Sequence, residues 1–122
     1  FAGAGGFSRG FEQSGVAEYQ TTLAIEIDKW AADTFRTNFS EAEVLTADIR
    51  NVMENENVQE LTTADIGVVI GGPPCQDFST SNTHSKEQKD PEESLFRYYI
   101  DFLKEIEPPA FVIENVPGIQ DT

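Results

Sequence analysis

A single cysteine in 122 residues excludes an internal disulfide and leaves no thiolate set for a structural zinc site. Basic residues are also scarce: eight Lys and Arg stand against 22 Asp and Glu, a net charge of −14. Phosphate binding draws on Lys and Arg, so these residues are not expected to grip nucleic acid unaided. The few cations are scattered, except that Lys86 and Lys89 lie close together. No apolar run approaches the roughly 18 residues that cross a bilayer. The opening residues are glycine-rich with no basic n-region, which does not fit a signal peptide. No internal repeat or linker breaks the chain. A reducing, intracellular setting fits this pattern.

What is present suits one small globular domain: 39% hydrophobic and 11% aromatic residues are enough for one core. Phe7 and Phe11 share a helical face, which predicts a short helix over 7–14 with Gly15 as its stop. Thr21–Ile27 reads as a strand, and Asp28 as the N-cap of a helix reaching Asn38. Ala42–Thr46 predicts a short strand, with a helical turn near 56–61. Ile66–Ile70 is the strongest strand signal, an apolar run expected to be buried on both faces. The polar stretch Asp77–Glu92 reads as a long loop, of the kind that is usually functional or disordered. Leu95, Phe96, Tyr99, Phe102, Leu103 and Ile106 are spaced three and four apart, so 93–107 predicts an amphipathic helix ended by Pro108-Pro109. Ala110–Glu114 predicts another buried strand. Strands alternating with helices give an α/β class with a mostly parallel sheet. A strand is expected before Phe1.

Five stretches carry chemistry. Gly71-Gly72-Pro73-Pro74-Cys75-Gln76-Asp77-Phe78-Ser79 puts the lone thiol on a stiffened turn past a central strand. Cys75 there reads either as a nucleophile or as a small buried hydrophobe. Phe1-Ala2-Gly3-Ala4-Gly5-Gly6-Phe7 is a glycine turn entering a helix, suited to a ligand that approaches backbone N–H groups, or simply a tight turn. Ser8 occupies the third glycine position of the dinucleotide fingerprint, which weakens a pyrophosphate reading. Glu26, about 20 residues on, is placed to accept from both hydroxyls of a ribose, or is an exposed strand-end carboxylate. Asp48-Ile49 after the next strand offers an acceptor for an adenine amino group and an apolar surface for its ring; a loop Asp is otherwise just solvated. Glu114-Asn115-Val116 ends the last strand, where a partly desolvated glutamate can donate a proton, or pair with a basic neighbour.

In this order and spacing, these residues resemble the N-terminal half of the catalytic domain of C5-cytosine DNA methyltransferases. The resemblance covers essentially the whole chain, and the Pro-Pro-Cys-Gln turn with the downstream Glu-Asn-Val is its most specific part. It implies a Rossmann-like S-adenosylmethionine-dependent methyltransferase fold, incomplete here, with 1–122 forming part of the catalytic domain and the target-recognition region absent. S-adenosylmethionine would be the donor, with no metal. Phe1, Gly3 and Gly6 would form the turn at its methionine side. Glu26 would hold the ribose, Ile27 would lie beside the adenine, and Asp48 and Ile49 would contact it. Pro74 and Leu95 would line the pocket. Cys75 would be the nucleophile and Glu114 its partner at the base. Gln76, Ser79, Asn115 and Val116 would touch the substrate, and the 77–92 loop, with Lys86 and Lys89, would close over DNA.

The partner implied is double-stranded DNA, bound through the full-length protein, with no membrane role; nothing sets an oligomeric state. Bacterial cytoplasm or nucleus is the implied location. Departures from the family pattern are the missing acidic residue before Phe1, the missing Gln-x-Arg-x-Arg segment and the missing returning C-terminal segment, which suggest a fragment inactive by itself. Asp77 stands where Gly is commoner, and its charge disfavours the thiolate. A tRNA-cytosine relative, a non-catalytic subunit of the same fold and, more distantly, a dinucleotide enzyme are the alternatives.

Overall fold

A helix-wrapped pair of short parallel strands forms the first half of the chain. The computed structural model describes residues 1–61, 66–74 and 94–115. After the glycine turn come α1 (Gly6–Glu12), β1 (Leu23–Glu26), α2 (Lys29–Asn38), β2 (Glu43–Thr46), a 3₁₀ turn (Val52–Glu54) and α3 (Glu56–Leu61). The second half holds β3 (Val69–Gly71), α4 (Leu95–Ile106) and β4 (Phe111–Ile113).

Local chemistry explains the helix limits. Asp28 accepts a 2.8 Å hydrogen bond from the Ala31 N–H, capping α2 as its sequence predicts. Ser94 does the same for α4, accepting from the Arg97 N–H at 3.1 Å. Glu107 ends α4 in the left-handed region, just ahead of Pro108. The apolar stripe of α4 turns Tyr99, Phe102, Leu103 and Ile106 inward, as its spacing requires. On α1, Phe7 and Phe11 meet edge to face at 5.7 Å, the contact expected of an i, i+4 pair.

All pairing among the described strands is parallel. β1 lies beside β2 with Leu23 opposite Glu43 and Glu26 opposite Thr46, and β3 lies beside β4 with Val69 opposite Phe111. Among the described residues the strands form two pairs rather than one continuous sheet. One cavity is lined by both β1 (Leu23, Ile25) and β3 (Val69, Ile70), with Tyr99 and Phe102 of α4. A core of Val52, Val58, Phe102 and Ile106, extended by Leu23, Ile25, Ile49 and Val69, ties the pairs together.

Two strand expectations need correction. The third strand begins at Val69, not Ile66, because its partner offers only three residues to pair with. The fourth is not buried: Phe111 is 55% and Val112 38% exposed, since β3 covers one edge of β4 and no described element covers its face.

The second core, Ala24, Phe35 and Phe39, fixes the glycine turn. Gly5 has φ of 97°, and a Cβ there would lie 2.3 Å from a ring carbon of Phe39, whose ring stacks on Phe35 at 4.5 Å. Left-handed backbone costs about 1–2 kcal/mol in a non-glycine residue, and overpacking adds roughly 1–3 kcal/mol. Gly5→Ala is therefore expected to destabilise the full-length protein by about 2–5 kcal/mol in denaturant unfolding; an unchanged midpoint would contradict this packing.

Candidate functional site

Two constellations form at strand ends. The first is built on β1. The Ala2 N–H donates to the Ile25 carbonyl at 3.1 Å, which lays the glycine turn across the end of the strand. The Gly3 N–H then donates to Glu26 Oε2 at 2.7 Å, and the Asp28 N–H donates to Oε1 at 2.9 Å. Glu26 is only 8% exposed. Its carboxylate therefore accepts from the turn on one side and from the start of α2 on the other, and such charge-assisted bonds are the strong ones. Gly3, at φ of 58°, has nothing within 4 Å of the position a Cβ would take, so its backbone faces open space. Phe1 packs edge to face on Tyr99, at 6.1 Å. Ile27, just past the strand, is 59% exposed.

Asp48 and Ile49 follow β2, one turn of chain beyond Thr46, the partner of Glu26. Ile49 is half-buried against the core, whereas Asp48 is engaged by a residue the sequence reading passed over. The Arg50 N–H donates to Asp48 Oδ1 at 2.9 Å, and its guanidinium Nε lies 3.0 Å from both carboxylate oxygens. Hydrogen bonds from the Arg50 side chain, then from its backbone, hold the Asp48 carboxyl below the usual carboxylate range. The signal was available in the Asp-x-Arg spacing.

The second constellation joins β3 to β4. The Glu114 N–H donates to the Gly71 carbonyl at 3.0 Å, carrying the ladder one step past the strand. A methyl group at Gly72 would lie 3.2 Å from Glu114 Oε2, so the carboxylate stands directly against the turn. Asn115 Nδ2 donates to the Pro73 carbonyl at 3.2 Å. Thus Gly72, Pro73, Glu114 and Asn115, about 42 residues apart in sequence, meet at one strand end. Glu114 is exposed, so the partial burial expected of it is not present among the described residues. Pro74 is half-buried at the end of the described turn, and Leu95 half-buried in the first turn of α4. Cys75, Gln76, Ser79 and Val116, with the 77–92 loop and its Lys86 and Lys89, lie outside the described residues.

The described residues hold no group of His, Cys, Asp and Glu able to bind a metal ion. None of the described helices is long and apolar enough to cross a membrane.

Known proteins resemble this chain in sequence and fold. The type II methyltransferase M.DdeI of Desulfomicrobium norvegicum is 44% identical over 119 residues, covering 98% of this chain and 27% of that protein. The type II methyltransferase M1.HphI of Haemophilus parahaemolyticus is 37% identical over 117 residues, 95% of this chain and 31% of its own length. The chain thus spans less than a third of these relatives. Among solved structures, a protein described as a DNA modification methyltransferase encoded within an E. coli prophage superposes with a TM-score of 0.74 at 31% identity, over 98% of this chain and 31% of the other. A variant of Spodoptera frugiperda DNMT2 has the same fold, with a TM-score of 0.71 at 23% identity over the whole of this chain and 35% of the other. These neighbours make the α/β architecture, with its short parallel strands, an incomplete Rossmann-like methyltransferase fold. The family model for the C-5 cytosine-specific DNA methylase matches residues 1–122 from end to end, and the chain belongs to that family.

Proposed function

We propose that the full-length protein is an S-adenosylmethionine-dependent DNA cytosine C5-methyltransferase, and that residues 1–122 are the part of its catalytic domain that carries donor-binding and reacting groups. The observation that carries this reading is the Glu114 carboxylate beside Gly72, its Oε2 3.2 Å from where a Cβ there would lie, in the turn that runs into Cys75. An acid beside the turn that leads in sequence to a thiol suits addition to a pyrimidine ring.

The residues around β1 fit the donor. Glu26 has two backbone N–H bonds fixing its carboxylate and keeps free lone pairs for ribose hydroxyls. Gly3 presents open backbone, Phe1 and Gly6 flank it in the turn, and exposed Ile27 offers an apolar surface for a base. Asp48, oriented by Arg50, and Ile49 would complete the adenine side, with Pro74 and Leu95 along the pocket wall. When bound, the donor supplies an electrophilic sulfonium methyl group.

C5 of cytosine is a poor nucleophile. The Cys75 thiolate adds to C6, forming an S–C bond, and the electrons of the C5–C6 double bond move into the ring. Glu114, hydrogen-bonded to or protonating N3, stabilises that charge. The ring so activated at C5 would receive the methyl group that the bound donor supplies, the donor's carbon–sulfur bond breaking as the new C–C bond forms. Loss of the C5 proton to a base, with any proton lent to N3 returning to Glu114, restores the double bond and expels the Cys75 thiolate. The base must leave the duplex stack to reach the thiol. Gln76, Ser79 and Val116 would contact it or its strand, and Lys86 and Lys89 the phosphates. With so few cations here, the main grip on DNA is assigned to the remainder of the protein.

The test is methyl transfer from labelled donor by the full-length protein, offered duplex DNA and tRNA in parallel. Incorporation at cytosine C5 of DNA is expected; incorporation into tRNA alone, or donor binding without transfer, would overturn the reading. Glu26→Gln replaces one acceptor with a donor that faces a backbone N–H. Hydrogen bonds to charged groups are worth about 1.5–3 kcal/mol, so the donor is expected to bind roughly 10- to 100-fold more weakly in calorimetry. Unchanged affinity would remove Glu26 from the site.

A further inference from the structure

Parallel β3 and β4 stop pairing at a proline. Gly71 pairs with Ile113, and the Glu114 N–H reaches the Gly71 carbonyl. In a parallel ladder the next bond would use the N–H of residue 73, but Pro73 has none. Its carbonyl still needs a donor, and the residue is buried. The Asn115 side chain supplies that donor: Nδ2 lies 3.2 Å from the Pro73 oxygen. Among the described residues, the turn thus leaves the sheet held at Pro73 by a side-chain bond, two residues before Cys75. On the other side of the same turn, Gly72 packs against Glu114 Oε2. Consecutive residues of β4's end therefore grip consecutive residues of the turn.

We propose that Asn115 is a positioning residue for the nucleophile turn, acting through Pro73 on the aim of the Cys75 thiol rather than by touching the substrate. This rests on the reading of Cys75 as the nucleophile. The linkage has a mechanistic use. It makes the spacing between the thiol's turn and the Glu114 carboxylate a single rigid unit, and misplacing reacting groups by an ångström is costly in rate.

The test uses the full-length protein with Asn115→Asp, which keeps the shape and loses the donor, and Asn115→Ala, which adds no charge. Cys75→Ser is assayed alongside. Three quantities are read: kcat and KM for methyl transfer to duplex DNA, donor affinity by calorimetry, and the rate of Cys75 alkylation by iodoacetamide against pH, followed by peptide mass spectrometry. Both Asn115 variants are expected to lose tenfold or more in kcat, with KM for DNA and donor affinity within twofold. The rate or pH midpoint of Cys75 alkylation is expected to shift in both, without DNA or donor present. Wild-type kcat in both variants would overturn the proposal, and a raised KM for DNA at unchanged kcat would make Asn115 a substrate contact instead. A fall in kcat that only follows a fall in melting temperature, with wild-type alkylation, would also overturn it, leaving a merely structural bond. A still-active Cys75→Ser would sink the nucleophile reading itself, a result separate from all of these.

Discussion

Cys75→Ser in the full-length protein is expected to lower methyl transfer by at least about a thousandfold, with donor affinity unchanged within a factor of two. The expectation follows from what each group can do at neutral pH. A cysteine is a few per cent thiolate even when unperturbed, and that thiolate is a strong nucleophile. A serine hydroxyl is essentially un-ionised there and needs an adjacent base. Among the described groups around the turn, Glu114 is assigned to N3 of the base in the proposed reaction and Asn115 is a donor to Pro73. The substituted hydroxyl is thus left without an activating partner among them. Donor affinity is spared because the Glu26 constellation is built on β1, on the other strand pair. Transfer at the wild-type rate by Cys75→Ser would mean that the thiol takes no covalent part.

The second large effect is at Glu114. Glu114→Gln is expected to reduce kcat about a hundredfold, the lower end of what proton transfer by a positioned side chain contributes. The amide of glutamine can still donate a hydrogen bond to N3 but cannot deliver a proton, so Glu114→Ala should fall further. Stability should hardly respond: Glu114 is exposed, and its fold-holding bond is made by its backbone N–H, which both substitutions keep. Surface changes of this kind usually stay within about 0.5 kcal/mol. Steady-state kinetics beside a melting curve separates the two. A melting temperature that collapses while kcat per folded molecule is unchanged would move Glu114 from chemistry to architecture.

Helix chemistry was plain in the sequence because it is local. Asp28 and the three- and four-residue spacing of α4 each act within a turn or two, and the helices begin and end about where those residues dictate; the Ser94 cap of α4 was not read. Strands were read less well because pairing is decided by the partner. Ile66–Ile70 looks like one strand, yet only Val69–Gly71 meets a ladder, because β4 is three residues long. Apolar Phe111 and Val112 read as buried, but burial needs a covering layer that composition does not reveal.

The site followed the same division. The glycine turn and Glu26, 23 residues apart from Gly3, were paired by motif, and the structure joins them by a 2.7 Å bond. The Gly72–Pro74 turn and Glu114 were likewise expected to share an edge, and Glu114 Oε2 stands 3.2 Å from where a Cβ at Gly72 would lie. Arg50 was missed because the cations were read as scattered, although the Asp-x-Arg spacing carried its one contact, to Asp48. Asn115 was read as a substrate contact; its bond to Pro73 is visible only once β3 and β4 are in register.

The central claim is that Cys75 attacks a cytosine ring beside the Glu114 carboxylate. Covalent trapping tests it most directly. The full-length protein is incubated with S-adenosylmethionine and a duplex in which every cytosine is replaced by 5-fluorocytosine, whose fluorine cannot leave as the C5 proton does. Mass spectrometry of the digested product is expected to find a methylated fluoropyrimidine bonded to Cys75 and to no other residue. Methylation of ordinary cytosine with no adduct on the fluorinated duplex, or an adduct on a different side chain, would contradict it.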